Sequence, residues 1–113
     1  MLANTARTHK APGKVNAYLQ TKVMSATPEQ LLIMVYDFAI VNCQKRDTDR
    51  VSRAITELIS SLNFDLEEIS MNLFRLYQYC LDLVKKQQFD EACTILKELR
   101  DTWEKAFATM KKA

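Results

Sequence analysis

The chain has 113 residues, of which 48% are hydrophobic and 27% are charged, and its formal net charge at pH 7 is +2. This length and apolar content suit one folded domain with a single core, and they exclude an intrinsically disordered chain. The single Gly excludes Gly-rich phosphate-binding loops, and the single His leaves almost no material for His-based metal sites or Ser-His-Asp triads. The composition therefore predicts a small helical protein that works by binding, with no enzymatic activity, metal or cofactor.

Acidic side chains are missing from the N-terminal part of the chain. Residues 1–28 carry four basic side chains and no acidic one, whereas the remainder is nearly balanced. The basic residues do not cluster with aromatic ones, so we expect no nucleic-acid partner. No secretory signal and no uncharged apolar stretch of membrane-spanning length is visible, so we expect a cytoplasmic protein without membrane insertion.

Three cysteines, Cys43, Cys80 and Cys93, lie far apart in the sequence, each on an apolar helical stripe. Metal and redox sites usually pair cysteines at short spacing, and no such pair is present. We therefore expect three small buried side chains in a reducing compartment.

Two different segments precede the main helices. Residues 1–13 are polar and predict a flexible tail. In residues 14–24, Val15, Tyr18, Leu19 and Val23 follow the spacing of one helical face. This amphipathic segment is too short to be helical alone in water, so it must dock on this chain or on another.

The first long helix has a strong start signal. Thr27 is suited to the N-cap position, Pro28 to the first helical position, and Gln30 to a capping box with Thr27. The helix predicted over residues 28–45 is apolar on nearly all sides, so other helices or a partner must cover it.

Three further helices are predicted over residues 48–63, 66–86 and 90–111. Asp47 or Thr48 is expected to cap the first of them, Asp65 with Glu68 the second, and Gln88 or Asp90 the third. The predicted fold is all-α: an antiparallel four-helix bundle with a short N-terminal amphipathic segment, forming a single domain over residues 14–111.

Apolar surface exceeds what one bundle core requires. The helix over residues 66–86 carries one stripe through Leu66, Ile69, Leu73 and Tyr77, and a second set of apolar residues, including Met71 and Phe74, on another face. Two explanations remain open on this evidence: a pair of central, fully packed helices, or a groove that receives a segment of another protein.

Several motifs in order resemble those of the FliS family, the flagellin-specific export chaperones. The matching stretches are residues 26–32 (ATPEQLL), 35–40 (VYDFAI), 66–79 (LEEISMNLFRLYQY) and 99–103 (LRDTW). The chain departs from the family pattern at Phe38, where Gly is usual, and at Leu66-Glu67, where the family has Gly-Gly. The resemblance extends over roughly residues 14 to 107.

The resemblance implies a non-catalytic function. Such chaperones bind the C-terminal segment of unpolymerised flagellin in the cytosol, prevent premature polymerisation and aid delivery to a component of the flagellar type III export gate. In the family the N-terminal segment covers the hydrophobic surface when cargo is absent, which assigns that role here to Val15, Tyr18 and the neighbouring Leu19. For the cargo groove we expect Ile33, Met34, Met71 and Phe74, because they lie off the main apolar stripes.

A second hypothesis belongs to another class. The extra apolar surface would also suit a helical structural or regulatory interaction protein that buries this surface in an obligate homodimer. For the chaperone, by contrast, we expect a monomer or a weak homodimer.

Overall fold

The computed structural model describes residues 13–112, and side chains at residue 17 and over residues 19–111. This part of the chain is helical and contains no strand. Its helices are α1 (Gly13–Ser25), α2 (Pro28–Gln44), α3 (Thr48–Ser60), α4 (Glu67–Lys85) and α5 (Phe89–Lys112). The all-α prediction is confirmed. Among these helices none is both long enough and apolar enough to cross a membrane.

The described residues up to Leu31 and those from Leu32 onward form two compact units, each of which is described by itself. In the first unit, the predicted amphipathic segment is the helix α1. Leu19 and Val23 are about half exposed there, and Met24 is more exposed still. The tail predicted over residues 1–13 lies outside the described residues except at Gly13, where α1 begins.

The predicted capping box is confirmed at the start of α2. The Thr27 backbone N–H donates to Gln30 Oε1 at 3.0 Å, and the Gln30 N–H donates to Thr27 Oγ1 at 3.1 Å. Two backbone donors that lack helical partners are thereby satisfied.

In the second unit, α2 and α5 run antiparallel. Tyr36 contacts Trp103 near one end, and Cys43 contacts Phe89 near the other, so residue numbers rise along α2 as they fall along α5. The Gln87 side chain reaches Thr48, which brings the end of α4 to the start of α3. Neighbouring helices are thus antiparallel, as predicted.

All four helices of the second unit contribute to one core. The largest fully buried side chains of this core include two tyrosines. All three cysteines are buried and form no disulfide, as expected. The fully buried side chains of largest volume are Tyr36, Tyr77, Ile55, Leu58, Leu96, Val51, Val84, Cys43 and Cys80.

The start of α3 was predicted correctly and the start of α4 was not. Asp47 caps α3 by accepting from the Arg50 N–H. The expected Asp65 cap of α4 is wrong: Leu66 occupies the N-cap position and makes no side-chain cap hydrogen bond. The reason is a competing turn, in which the Asp65 N–H donates to Asn63 Oδ1 and holds Asp65 ahead of the helix.

The ends of α3 and α5 differ slightly from the prediction. α3 stops at Ser60, three residues before the predicted end at 63, and the backbone N–H of Ser61 bonds carbonyls of the last turn. α5 begins at Phe89. Of the two predicted caps, Gln88 therefore directly precedes the helix, and Asp90 lies in its first turn.

Two helices end in left-handed residues that are not glycine. Arg46, after α2, has φ 59°, and Gln87, after α4, has φ 63°. In each case the next residue donates its N–H to the carbonyl five residues back, at 2.9 Å after Arg46 and 2.8 Å after Gln87. These are Schellman motifs, which usually take Gly at this position.

Candidate functional site

A cavity of about 180 Å³ opens at one end of the second unit, bounded by α2, the end of α3, the start of α4 and the later part of α5. We call it the apolar groove. Its lining residues are Leu32, Ser61, Leu62, Asn63, Leu66, Ile69, Ser70, Leu73, Tyr77 and Trp103.

The rim of the apolar groove exposes two aliphatic side chains. Leu66 is 57% exposed and Ile69 is 59% exposed, whereas Leu73 is partly buried against the core. The Ser70 hydroxyl donates to the carbonyl of Asn63, which follows the end of α3. The segment after α3 is therefore bonded to the first turn of α4, and α3 itself ends before that turn. Helix α3 therefore does not cover Leu66 and Ile69.

The wall of the apolar groove is held by a buried network of three aromatic side chains. Tyr36 Oη and Tyr77 Oη lie 2.6 Å apart, and Trp103 Nε1 donates to Tyr36 Oη at 3.1 Å. One side chain comes from each of α2, α4 and α5, so the network joins three helices. Trp103 also stacks on Phe107, with 5.5 Å between the ring centroids.

Both phenols of this network stay neutral. Burial raises the pKa of Tyr36 far above its ordinary value, and the neighbouring Tyr77 raises it further. Burial also raises the pKa of Tyr77, although hydrogen bonds with Tyr36 and Trp103 act in the opposite direction. The network is thus a neutral, hydrogen-bonded feature of the core, and every buried polar side-chain atom among the described residues has a partner.

An ion pair lies beside the aromatic network. The Arg100 guanidinium donates to the Asp37 carboxylate, and it also contacts Glu104 at 3.3 Å. The hydrogen bond to Asp37 raises the pKa of Arg100. Asp37 follows Tyr36 on α2, and Arg100 precedes Trp103 by one turn of α5. Together the two contacts fix the register between α2 and α5.

The sequence is similar to a known protein family over more than half of its length. The family model described as flagellar protein FliS matches residues 41–110. The chain belongs to the FliS family. These proteins are non-enzymatic chaperones for flagellin export, and this membership confirms the expectation of a binding protein. No curated protein matches the chain.

The FliS match takes in the last residues of α2, all of α3 and α4, and most of α5. It therefore includes most of the apolar groove, with Leu66, Ile69, Tyr77 and Trp103 among the matched residues. Both departures from the family pattern are exposed: Phe38 is 49% exposed, and Leu66 is at the rim of the groove.

The seven site residues expected from the sequence are spread over the chain. The side chains of Val15 and Tyr18 lie outside the described residues. Leu19 is half exposed on α1, in the first unit. Ile33 and Met34 are partly buried on α2. Ile33 and Met34 are not among the described residues that line the apolar groove.

Met71 and Phe74, the remaining two, lie on α4 and are not among the described residues that line the apolar groove. Met71 is 38% exposed, and Phe74 is partly buried with its ring edge against Phe64, 6.3 Å between centroids. Phe64 belongs to the turn that also supplies Leu62 and Leu66 to the groove. Phe64 and Phe74 thus form an apolar contact close in sequence to the groove residues Leu62 and Leu66.

Sequence reasoning missed Leu66 and Ile69 because it assigned them to the core stripe of α4. The stripe exists, but the structure buries only its later part, including Tyr77, Cys80 and Val84. No sequence signal indicated this, because α3 stops at Ser60, before its predicted end, and the stripe of α4 therefore extends beyond its neighbour.

Proposed function

We propose that the chain binds the C-terminal segment of unpolymerised flagellin, and that the apolar groove receives apolar side chains of that segment. Membership of the FliS family supports flagellin as the partner. The observation that carries the site is the exposed aliphatic rim, Leu66 and Ile69, beside a partly buried Trp103.

The physical basis is folding of the cargo on binding. A cavity of about 180 Å³ accommodates individual side chains and not a whole helix. An amphipathic cargo helix would therefore lie across the groove and insert apolar residues one turn apart. Ordering the cargo costs free energy, which keeps the affinity moderate and permits later release.

The sequence-based site residues belong to this proposal as its outer parts. Met71 and Phe74 would extend the cargo surface beyond the groove rim, which the contact between Phe74 and Phe64 supports. We propose that Ile33 and Met34 add apolar contacts from α2. A further set, Val15, Tyr18 and Leu19, would cover apolar surface when cargo is absent.

The remaining steps follow from the same role. Covering the flagellin segment would prevent premature polymerisation in the cytoplasm. The loaded chaperone would then deliver flagellin to a component of the export gate. Both steps rest on the family's role and not on contacts within this chain.

The experiment is calorimetric titration of the full chain with the C-terminal peptide of flagellin from the same organism. Ile69→Glu alters an exposed rim residue, so folding should be preserved while a charge is introduced where apolar cargo would be buried. We expect binding to weaken at least about tenfold. Val41→Glu is the matched control, because Val41 is an exposed aliphatic residue on α2 that does not line the groove.

The outcomes separate the proposals. Loss of affinity in Ile69→Glu alone confines the cargo site to the groove. An equal loss in Met71→Glu extends the site to the sequence-predicted residues. Binding that is unchanged in Ile69→Glu contradicts the groove, and the absence of binding by the unmodified chain, with full-length flagellin also inert, contradicts the proposed function.

A further inference from the structure

The Trp103 side chain is oriented by two contacts. Its indole N–H donates to Tyr36 Oη, and its ring stacks on Phe107 at an interplanar angle of 28°. The stack alone allows the indole to slide or turn in its own plane, because stacking has little preference for in-plane orientation. The hydrogen bond removes this freedom by fixing the position of Nε1.

Tyr36 is well suited to fix the indole. Its side chain is fully buried, and its hydroxyl is itself held by Tyr77 at 2.6 Å. Tyr36 does not line the apolar groove, whereas both Tyr77 and Trp103 do. Any effect of Tyr36 on the groove must therefore pass through these two side chains.

We propose that Tyr36 is a positioning residue of the chaperone: its hydroxyl holds the Trp103 indole in the orientation that shapes one wall of the apolar groove for cargo. This inference rests on the proposed function. It assigns to the tyrosine of the VYDFAI stretch a role in cargo binding, although its side chain does not reach the groove.

The chain provides a matched pair of variants. Tyr36→Phe and Tyr77→Phe both delete the hydrogen bond between the two phenols, so both should lose similar core stability. Tyr36→Phe removes the acceptor that lies 3.1 Å from Trp103 Nε1, whereas Tyr77→Phe retains it. A difference between the two variants therefore reports on the indole and not on the general loss of a buried hydroxyl.

The first measurement uses no cargo. Trp103 is the chain's single tryptophan, so fluorescence excited at wavelengths beyond the tyrosine absorption band reports on this side chain alone. We expect Tyr36→Phe to lower the fluorescence anisotropy of the folded protein and to increase quenching by acrylamide. Tyr77→Phe should stay close to the unmodified chain. Equal signals in the two variants, or no change in either, would overturn the inference.

The second measurement is the affinity for the flagellin C-terminal peptide. Tyr36→Phe should weaken binding about fivefold more than Tyr77→Phe does, the size expected when one buried donor loses its acceptor. In a Trp103→Phe background, Tyr36→Phe should have no additional effect, because the side chain it positions is gone. Additive losses in that background would contradict positioning through Trp103.

The two readouts distinguish the failures. If the unmodified chain does not bind flagellin, the proposed function fails, and with it the relevance of Trp103 to cargo. If the unmodified chain binds but the two tyrosine variants bind and fluoresce alike, the proposed function stands and the role of Tyr36 is refuted.

Discussion

Hydrogen bonds between residues close in sequence could be predicted, whereas those between distant residues could not. Thr27 and Gln30 form the expected capping box, and Asp47 caps α3 as expected, because each bond joins residues three apart. The bond between Tyr36 and Trp103 joins residues 67 apart, and no local pattern indicates it. Asp65 shows the limit of local rules, since a turn at Asn63 outcompetes the predicted cap.

Cys43 makes the stability of the protein depend on pH. Burial, reinforced by the neighbouring Cys93, raises the pKa of the Cys43 thiol from its ordinary 9.0 to about 11. Above pH 9 the unfolded chain releases this proton while the folded chain retains it. The contribution of Cys43 to stability is therefore complete below pH 9 and is lost as the pH rises towards 11.

The corresponding measurement is urea denaturation between pH 8 and pH 11 under reducing conditions. We expect the free energy of unfolding to fall less steeply with pH in Cys43→Ala than in the unmodified chain. Val51→Ala is the control, because it truncates another fully buried side chain that does not titrate. Parallel pH profiles for Cys43→Ala and the unmodified chain would contradict the assignment.

At the scale of helices, the hydrophobic periodicity predicted the position of each helix well. It predicted less well which face of a helix is buried. The bounds of α2 and α4 agree with the prediction to within about one residue. Leu66 and Ile69 lie on the same helical stripe as the buried Tyr77, yet they are exposed because α3 ends first. A helical period identifies a stripe but carries no information about the length of the neighbouring helix.

The left-handed end of α4 offers a direct gain in stability. Gln87 occupies a conformation that costs a residue with a Cβ atom about 1 kcal/mol relative to Gly. Gln87→Gly should therefore raise the melting temperature by a few degrees, reduced slightly by loss of the exposed contact with Thr48.

Lys86→Gly is the matched control for that substitution. Lys86 has φ −86°, which any residue adopts, so Gly there gains nothing and increases the entropy of the unfolded chain. We expect a lower melting temperature for this variant. A stabilised Lys86→Gly, or a destabilised Gln87→Gly, would contradict this account of the helix end.

For the whole molecule, the sequence indicated an excess of apolar surface but not its location. The prediction of four antiparallel helices needed only their number and the short connections between them. The apolar groove needs side chains from α2, α4 and α5 to meet at one end, which depends on register. The register is fixed by the contacts of Tyr36 with Trp103 and of Asp37 with Arg100, and these cannot be inferred from periodicity.

The oligomeric state tests the alternative of a structural homodimer. A rim of two exposed aliphatic residues is small beside the interfaces of obligate dimers, so we expect a monomer that forms at most a weak dimer at high concentration. Light scattering after size exclusion, over a range of concentrations, measures this. A dimer that persists on dilution and dissociates in Ile69→Glu would mean that a second copy occupies the groove.

The contacts between α2 and α5 also determine when the groove forms during synthesis. Its walls come from residues as distant as Leu32 and Trp103, and the bonds that join them span most of the chain. While the ribosome is still making α5, Tyr36 can bond only Tyr77 of α4, Asp37 lacks Arg100, and the face of α2 that packs on α5 remains open. Until α5 has emerged, this apolar face of the nascent chain is exposed to aggregation, so a member of a chaperone family is itself aggregation-prone during much of its own translation.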